Sequence, residues 1–410
     1  MRFCHLKILL ISQYFPPDLG GVATRASNLF KGLVANDCHV TVITGFPHYP
    51  YGNIPKEYRW VPVKVEWIGK TKVIRSFMPP LKSEGLLKRL LLIGFFAISS
   101  LFALPWIGKI DAVWGGSWVP GIFYNKVKGV PVVLDVCDLT LEDLPMLKMA
   151  DENSLLLQIA TFIYRFFYSK GNAIAPISPG YVKTINRKYG VNESKIDVIQ
   201  VGVDATVFKA GEKNRLESEP FKIIYAGVLG VGYDFEQIFE AAKILDEKKL
   251  SAVFIIHGNG ECLVSIRNRL KGLNLINVVL SDRMLGSRKE VADLLSSADA
   301  LILPLKDYGE PYPGIPSKLY EYQALGRPII CCAEGEPAKY ISESNSGLVV
   351  EPGNPKLLAE AIFYLIANPK KSREMGINGR NYVEREVTIT AIGQKAKQLF
   401  TQLMEEQGDK

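Results

Sequence analysis

Short apolar runs alternate with longer amphipathic stretches through the first half of the chain. The apolar runs predict strands at Lys7–Ser12, Val40–Thr44, Ala112–Trp114, Val132–Val136 and Ala173–Pro176, with a further strand around Lys72–Arg75. The amphipathic stretches predict helices at about Gly21–Ala35, Leu86–Leu104, Val119–Lys128, Asn153–Tyr168 and Ser178–Tyr189. Strands that alternate with helices in this way are typical of a doubly wound parallel sheet.

The same alternation restarts after the polar segment Lys209–Pro220, which has the composition of a linker. Strands are predicted at Lys222–Ala226, Ser251–His257, Val278–Leu280, Ala300–Pro304, Pro328–Cys332 and Gly347–Val350, and helices at Phe235–Leu245 and Glu261–Leu270. We therefore predict an α/β protein of two similar domains, residues 1–205 and 206–385, with a cleft between them. Residues 386–410 are expected to form a helix that packs back on the first domain. Ligands of such sheets bind at the carboxyl ends of the strands.

The composition fits two globular domains and shows no spacing typical of a metal site. A chain of 410 residues, with 48% hydrophobic and 22% charged residues, has the size for two buried cores. The six cysteines include no Cys-x-x-Cys pair and the four histidines are scattered. The apolar part of Met1–Ser12 is too short for a signal peptide. We expect a reduced, cytoplasmic protein without a metal or other cofactor.

Basic residues are concentrated in the first half of the chain. Residues 1–200 carry 23 Lys and Arg against 14 Asp and Glu, and Lys56–Arg89 alone carries nine basic and three acidic residues. No nucleic-acid-binding motif accompanies this excess, so an anionic membrane surface is the preferred partner. The uncharged run Leu90–Ile107 follows directly. Because it lies between two predicted strands, we expect it to lie in the membrane interface and not to cross the bilayer. A buried core helix is the alternative.

The segment Pro-Gly-Ile-Pro-Ser-Lys-Leu-Tyr-Glu, which begins at residue 313, carries the strongest chemical signal. It predicts a loop followed by a short helix, Ser317–Leu325. The free amides of residues 317–319 and the charge of Lys318 form a site that favours phosphate. Glu321, one turn further along, is placed to accept hydrogen bonds from a ribose. The helix therefore predicts a nucleoside diphosphate site, with an ordinary turn into a buried strand as the alternative.

Further candidate residues lie in loops that follow predicted strands. Gly20–Gly21 opens a helix and lets the backbone approach a phosphate, although a plain tight turn requires such glycines as well. Asp138 follows a buried strand, where it is placed to hold sugar hydroxyls or to orient an acceptor, unless it caps the segment behind it. Gly258 and Arg283 are candidates for contact with the nucleotide. His48 is interpreted as a loop residue and not as a base.

Three features together resemble the retaining glycosyltransferases of family 4. They are Pro316-Ser-Lys-Leu-Tyr-Glu-Tyr322, Gly20–Gly21 and Val201-Gly-Val-Asp-Ala-Thr-Val-Phe208, and the resemblance extends in the correct order over nearly the whole chain. It is closest to the branch that works in bacterial O-antigen and capsule assembly, which shows a Pro-Ser-Lys helix start and a Gly-Glu pair like Gly335-Glu336. The resemblance implies the GT-B fold, in which two Rossmann-like domains face each other.

The chain also departs from the pattern of this family. Glu321 matches the second of two family glutamates, which binds the donor ribose, whereas Pro313 stands where the first is expected. The arginine or lysine that often grips the diphosphate is missing from Ala226–Phe235. The helix amides are therefore expected to bind the diphosphate together with Lys318, Arg25 or Arg283.

The resemblance implies a retaining glycosyltransferase that moves a hexosyl or N-acetylhexosaminyl group from a UDP- or GDP-sugar. The acceptor is expected to be a lipid-linked glycan or polysaccharide at the inner face of the cytoplasmic membrane. The assigned catalytic residues are Asp138 and Lys318, and the donor-binding residues are Gly20, Gly21, Gly258, Arg283, Ile315, Ser317, Lys318, Leu319 and Glu321. A non-catalytic GT-B protein that binds a nucleotide sugar or glycan in a polysaccharide assembly complex is the main alternative. A nucleotide-sugar 2-epimerase would need a cluster of acidic and histidine residues that the sequence does not supply.

Overall fold

The computed structural model describes residues 5–49, 52–58, 61–81, 86–139, 141–142, 151, 154–211, 218–283 and 285–408. The chain divides into two compact units. The first comprises Met1–Gly202 together with Ile389–Lys410, and the second comprises Val203–Thr388. The predicted boundaries, at residues 205 and 385, each differ from the observed ones by three residues. The predicted linker Lys209–Pro220 lies partly outside the described residues.

The first unit contains a seven-stranded sheet with one antiparallel edge. Its strands are β1 (Lys7–Ile11), β2 (His39–Gly45), β3 (Val63–Ile68), β4 (Thr71–Ser76), β5 (Ala112–Gly115), β6 (Val132–Val136) and β7 (Ala173–Pro176). The order is β3-β4-β2-β1-β5-β6-β7, and every neighbouring pair is parallel except β3 with β4. The sequence prediction omitted β3, because Lys64 and Glu66 interrupt the apolar run that marks a buried strand.

Before residue 202, the described helices of this unit are α1 (Gly21–Ala35), α2 (Leu86–Ser99), α3 (Trp118–Lys128), α4 (Leu155–Tyr168) and α5 (Gly180–Tyr189). The apolar stripe of α1 explains its position on the sheet. Leu29 and Leu33 are fully buried in one cluster with Ile8 and Leu10 of β1. Side chains that alternate along β1 thus pack against residues four apart on the helix.

The apolar run Leu90–Ile107 forms two elements and not the single helix predicted for Leu86–Leu104. α2 ends at Ser99, and a 3-10 helix, Ser100–Trp106, follows it. The hydroxyls of Ser99 and Ser100 donate to carbonyls three residues back, at 3.4 and 3.1 Å, which favours the tighter turn. In the described part of the chain, no helix combines the length and apolar character that a membrane span requires.

The second unit contains a six-stranded sheet in which every neighbouring pair is parallel. Its strands are β8 (Phe221–Val228), β9 (Ala252–Asn259), β10 (Val278–Ser281), β11 (Ala300–Pro304), β12 (Ile329–Cys332) and β13 (Gly347–Val350), in the order β10-β9-β8-β11-β12-β13. Its described helices are α6 (Glu236–Glu247), α7 (Leu263–Leu273), α8 (Arg288–Ser296), α9 (Ser317–Ala324), α10 (Glu336–Glu343), α11 (Pro355–Ala367) and α12 (Pro369–Glu386). The sequence prediction omitted α8, α10, α11 and α12.

The final helix, α13 (Ile389–Gly408), belongs to the first unit and packs on α1. The two helices approach closely at Gly32 and Gly393. A Cβ atom on Gly32 would lie 2.1 Å from the Ile389 carbonyl oxygen, and one on Gly393 would lie 2.1 Å from the Gly32 carbonyl carbon. Glycine at both positions therefore lets the helix backbones come into contact. The two parallel-dominated sheets confirm the predicted doubly wound α/β fold.

Candidate functional site

Both sheets reverse their strand order between two central strands. The reversal lies between β1 and β5 in the first unit and between β8 and β11 in the second. Loops that leave the carboxyl ends of two such strands diverge and open a crevice where ligands bind. In the second unit the loop after β8 contains Tyr233, and the chain after β11 leads into α9.

Lys318, in the first turn of α9, joins the two loops of the second unit's crevice. Its ammonium group donates a hydrogen bond of 3.1 Å to the Tyr233 hydroxyl. The same nitrogen lies 5.6 Å from the ring centre of Tyr225 and 5.1 Å from that of Tyr233. Two aromatic faces and a hydroxyl therefore hold the cation in place. The loop after β8 lacks a basic residue, and Lys318 brings a positive charge to it from the helix.

Two glycines make room for this lysine. A Cβ atom on Gly227, near the end of β8, would lie 2.2 Å from Lys318 Cε. Gly258 pairs with Gly227 across β8 and β9, and a Cβ atom there would lie 1.8 Å from the Gly227 carbonyl oxygen. Gly258, predicted as a nucleotide contact, thus keeps the two strand ends close together. The sequence reasoning missed Gly227, although it opens the glycine-rich stretch Gly-Val-Leu-Gly-Val-Gly after a predicted strand.

The amino end of α9 presents two free amides and not the three that the sequence predicted. The Leu319 amide donates to the Pro316 carbonyl at 3.0 Å, because the first turn of the helix is tight. Among the described residues, the amides of Ser317 and Lys318 have no backbone acceptor. The predicted donor contacts Ile315 and Leu319 have buried side chains, so they support the loop and helix from within the core.

Glu321, the predicted ribose ligand, is paired with Arg288 in this structure. The Arg288 guanidinium donates to a Glu321 carboxylate oxygen at 2.7 Å, and the carboxylate is 10% exposed. The guanidinium carbon of Arg288 also lies 4.9 Å from the ring centre of Phe208. Arg288 was missed because it opens α8, a helix that the hydrophobic pattern did not reveal.

Arg283 and His257 lie at the same edge of the sheet, after β10 and at β9. The Arg283 side chain is 79% exposed, and its guanidinium lies 3.9 Å from the Glu290 carboxylate. The His257 ring nitrogen Nδ1 lies 3.1 Å from the Ser281 hydroxyl. Burial and then the charge of Arg283 lower the pKa of His257, which favours its neutral form. The exposed Arg283 side chain is therefore available to bind an anion, whereas the His257 side chain is held against Ser281.

In the first unit the predicted glycine pair lies where the loop after β1 meets the loop after β2. Gly20 precedes α1 with φ of 100°, a conformation that side chains rarely adopt. A Cβ atom there would lie 3.0 Å from the Tyr49 ring. Gly21 begins the helix, and a Cβ atom on it would meet nothing within 4 Å. The backbone of α1 is therefore open to a ligand at Gly21.

Arg25, expected as a further donor to the diphosphate, is an internal ion-pair partner. Its side chain is 1% exposed, its Nη2 atom lies 3.0 Å from Asp135 Oδ1, and Nη1 donates to the Gln200 carbonyl. The expectation was wrong because these contacts hold the guanidinium inside the core. Asp138 is exposed beyond β6, and part of the segment that it was expected to cap lies outside the described residues.

The predicted site residues thus fall into two groups. The second unit holds Gly258, Arg283, Ile315, Ser317, Lys318, Leu319 and Glu321, and the first unit holds Gly20, Gly21 and Asp138. Within the described ranges, no group of His, Cys, Asp or Glu side chains has an arrangement that would hold a metal ion. A lysine ammonium group beside two free helix amides, as found in the second unit, is an arrangement that favours an anion.

Two family models cover most of the chain. Residues 208–382 match the model described as glycosyl transferases group 1, and residues 20–202 match the glycosyl transferase 4-like domain. The chain belongs to the group 1 glycosyltransferases. The first match contains α9 and Arg288, and the second contains Gly20, Gly21 and Asp138.

Similar proteins are known from bacteria and archaea. The putative colanic acid biosynthesis glycosyl transferase WcaI of Escherichia coli is 26% identical over 404 residues, which cover 93% of this chain and 96% of that protein. D-rhamnosyltransferase WbpZ of Pseudomonas aeruginosa is 27% identical over 222 residues, 52% of this chain and 55% of that protein.

Two solved structures show the same fold. Sucrose-phosphate synthase from Thermosynechococcus elongatus has a TM-score of 0.76 at 19% identity and covers 98% of this chain and 100% of its own. Anabaena HepE in complex with UDP-glucose has a TM-score of 0.64 at 15% identity, with 97% and 100% covered. These similarities, which lie in the GT-B class of glycosyltransferases, confirm the predicted fold class.

Proposed function

We propose that this protein is a retaining transferase that binds the diphosphate of a nucleotide sugar at the amino end of α9. The observation that carries the proposal is the Lys318 ammonium group beside two free helix amides, at the strand-order reversal of the second sheet. Helix amides and a fixed cation bind phosphate oxygens without further rearrangement. Arg283, exposed at the same edge, supplies a second cation.

The chemical step follows from where charge develops. As the bond between the anomeric carbon and the phosphate oxygen breaks, negative charge grows on the leaving diphosphate. Lys318 and the amides of Ser317 and Lys318 stabilise that charge more strongly in the transition state than in the ground state. The acceptor hydroxyl forms the new bond on the same face of the sugar and gives its proton to the departing phosphate. The retaining outcome therefore needs no protein base, and Asp138 is assigned to orient the acceptor.

Glu321 is assigned to the ribose of the donor. Its carboxylate lies one turn from the amino end of α9, and Arg288 holds it in place through the 2.7 Å hydrogen bond. An ionised carboxylate with one oxygen engaged still accepts from two ribose hydroxyls. The diphosphate and the ribose are thus recognised by one short helix. Arg288 is a positioning residue in this arrangement.

The names of the similar proteins support a proposal for the class of substrate. Their names include colanic acid biosynthesis and D-rhamnosyl transfer, and HepE was solved with UDP-glucose. We propose by analogy that this protein adds a hexosyl or N-acetylhexosaminyl residue from a UDP- or GDP-sugar during bacterial polysaccharide assembly. The acceptor is proposed to be a lipid-linked glycan.

An exposed apolar surface on the first unit supports the proposal of a lipid-linked acceptor. Large apolar side chains of α2 and the 3-10 helix are exposed to solvent, among them Ile93, Phe95, Ile98, Phe102 and Trp106. Phe95, Ile98 and Phe102 line one open surface cavity together with Phe77. An exposed apolar surface of this kind marks an interaction site.

Basic and aromatic residues border this surface. Lys72 donates to the Trp106 carbonyl at 3.1 Å, and its ammonium lies 5.7 Å from the ring of the exposed Trp67. Tryptophan and lysine are the residues that favour a membrane interface. We therefore propose peripheral attachment of the first unit to an anionic cytoplasmic membrane surface.

A non-catalytic nucleotide-sugar-binding protein is the second candidate function. Two observations favour it. The Glu321 carboxylate is already paired with Arg288, and the loop after β8 supplies a tyrosine and no basic residue. Such a protein would bind the nucleotide sugar without transferring or hydrolysing it.

One experiment separates the two functions. Thermal unfolding is recorded with UDP, GDP, ADP and dTDP. Sugar transfer is then measured with radiolabelled nucleotide sugars that carry the nucleoside diphosphate with the largest stabilising effect. A nucleoside diphosphate at 100 times its Kd is expected to add about 2.7 kcal/mol to the free energy of unfolding. Stabilisation with transfer supports the enzyme, and stabilisation without transfer or donor hydrolysis supports the binding protein. The absence of stabilisation by every nucleotide would contradict both.

A further inference from the structure

The loop after β2 holds a histidine whose ring nitrogens have different surroundings. His48 is 4% exposed, and its Nδ1 atom lies 2.7 Å from the Phe46 carbonyl oxygen. Because a carbonyl oxygen only accepts hydrogen bonds, Nδ1 carries the hydrogen in this contact. In the neutral ring Nε2 is then an acceptor with a free lone pair. Nε2 is buried and has no hydrogen-bond partner among the described residues.

Asp18 provides a second buried acceptor on the neighbouring loop. Its Oδ1 atom accepts the backbone amides of His48 and Tyr49, both at 2.8 Å, and so fixes the loop after β2 to the loop after β1. Its Oδ2 atom is buried and, within the described part of the chain, has no hydrogen-bond partner. The two loops therefore carry two buried polar atoms that lack a hydrogen-bond partner among the described residues.

The surroundings of these atoms are aromatic. The Tyr14 ring centre lies 5.5 Å from that of His48 and 5.0 Å from that of Tyr49. Tyr49 in turn lies against Gly20, at the start of α1. Aromatic rings cover the apolar face of a sugar ring, while acceptor atoms take the hydrogens of its hydroxyls. The arrangement suits a neutral polyol better than a phosphate, because a phosphate brings only negative charge and further acceptors.

A buried acceptor without a donor lowers the stability of the fold, so it calls for a partner that the described residues do not include. We infer that His48 Nε2 and Asp18 Oδ2 receive hydroxyl hydrogens of the acceptor sugar. This inference rests on the proposed transferase function, and it assigns acceptor recognition to the loops after β1 and β2. His48 is then an acceptor-binding residue, not only the loop residue that the sequence indicated.

The test compares two substitutions that remove different nitrogens. His48→Asn keeps an amide near Nδ1 that donates to the Phe46 carbonyl, and it places no atom at Nε2. His48→Gln places amide atoms near Nε2 and loses the contact with Phe46. Transfer to a panel of p-nitrophenyl hexosides gives the KM for the sugar acceptor and kcat. Donor hydrolysis without acceptor and thermal shift with nucleoside diphosphates give the state of the donor site. His39→Asn, at the exposed start of β2, is the matched control.

We expect His48→Asn to raise the acceptor KM at least tenfold, with donor hydrolysis and nucleotide stabilisation unchanged. His48→Gln is expected to recover most of the wild-type KM. An unchanged acceptor KM in His48→Asn would overturn the inference, as would a defect in His48→Gln alone, which marks a purely structural role. An equal loss of donor hydrolysis would overturn it as well.

Asp18→Asn provides a second route if His48→Asn does not fold. The amide oxygen still accepts from His48 and Tyr49, whereas a donor replaces the free acceptor Oδ2. The acceptor KM is expected to rise at least tenfold, and a wild-type KM would contradict the inference. Failure of the proposed function has a different signature. In that case the wild-type protein shows neither nucleotide stabilisation nor transfer, and direct calorimetry of hexoside binding to wild type and His48→Asn decides the inference. Equal hexoside affinity of the two, or no binding by the wild type, contradicts it.

Discussion

Arg288 and Glu321 form a 2.7 Å hydrogen-bonded ion pair that spans α8 and α9. The carboxylate is almost buried, whereas the guanidinium side chain is 52% exposed and lies over the Phe208 ring. The arginine therefore compensates the charge of a carboxylate that the protein core alone would not stabilise. A ligand that binds Glu321 therefore meets a carboxylate whose orientation is already fixed by the half-exposed Arg288.

Replacement of Arg288 is expected to weaken donor binding more than turnover. In Arg288→Ala the Glu321 carboxylate loses its partner and its fixed orientation, so we expect the donor KM to rise about tenfold while kcat falls less than threefold. Steady-state kinetics with a varied nucleotide sugar measures both constants. Arg267→Ala removes a half-exposed arginine that pairs with Asp282 and serves as control. If kcat falls by a larger factor than the donor KM rises, Arg288 acts on the transition state.

Removal of Lys318 or Glu321 is expected to abolish most of the activity. Lys318→Ala removes the cation beside the helix amides, and Glu321→Ala removes the proposed ribose ligand. Each is expected to lower turnover at least 100-fold with an intact fold, in the range for loss of one preorganised electrostatic contact. Transfer assays and circular dichroism measure the two effects. Lys339→Ala, on the exposed face of α10, is the control. Near-wild-type activity of both variants would contradict the site assignment.

A methyl group on Gly227 is expected to act through Lys318. The new Cβ atom would lie 2.2 Å from Lys318 Cε, so the flexible lysine side chain is expected to move away from Tyr233. Gly227 also has φ of 153°, so any side chain there adds backbone strain. We expect Gly227→Ala to lose at least tenfold in kcat. Gly353→Ala is the control, because Gly353 also has a positive φ, of 72°, and a Cβ atom there would meet nothing within 4 Å. Thermal unfolding shows whether the fold survives, and wild-type kcat in Gly227→Ala would show that the position of Lys318 is unimportant.

The buried pair Arg25 and Asp135 is expected to control stability and not donor affinity. Removing one partner leaves an uncompensated charge inside the first unit, which costs about 3–5 kcal/mol. Arg25→Met is therefore expected to lower the midpoint of urea unfolding of this unit, with nucleotide-induced stabilisation of the second unit retained. The double variant Arg25→Met with Asp135→Leu is expected to recover part of the loss. A Kd for nucleoside diphosphates that rises in Arg25→Met would restore the role in phosphate binding that the sequence indicated.

The sequence predicted the elements that repeat a local pattern. The buried strands of both sheets and α9 were found because continuous apolar runs, a proline and a glycine mark them. β3 and α8 were missed, since charged residues interrupt the apolar pattern in the first and the second is short and polar. The contacts within the candidate site were harder to predict from the sequence. Lys318 bonds to a tyrosine 85 positions away, and Glu321 bonds to an arginine 33 positions away. No local spacing encodes such pairs.

The apolar run Leu90–Ile107 contains both buried and exposed side chains. Leu92 and Phe96 are fully buried, whereas Ile93, Phe95, Ile98 and Phe102 are exposed. The run is thus core on one face and surface on the other, so neither of the two alternatives derived from the sequence describes all of it. Leu92→Ser and Phe96→Ser are expected to unfold the first unit, and they do not test membrane binding.

Replacement of the exposed set by serine is the appropriate test. The variant Ile93→Ser, Phe95→Ser, Ile98→Ser and Phe102→Ser removes apolar area that is already in water, so the fold is expected to persist. Binding to vesicles with 30 mol% anionic lipid is expected to fall at least tenfold, while nucleotide stabilisation is unchanged. High salt is expected to weaken wild-type binding, because basic residues near the surface contribute about 1 kcal/mol each. Serine at Leu357, Phe363 and Ile377, exposed apolar positions of the second unit, is the control. Equal vesicle binding by the two variants would assign the attachment to another surface, such as the exposed apolar face of α4.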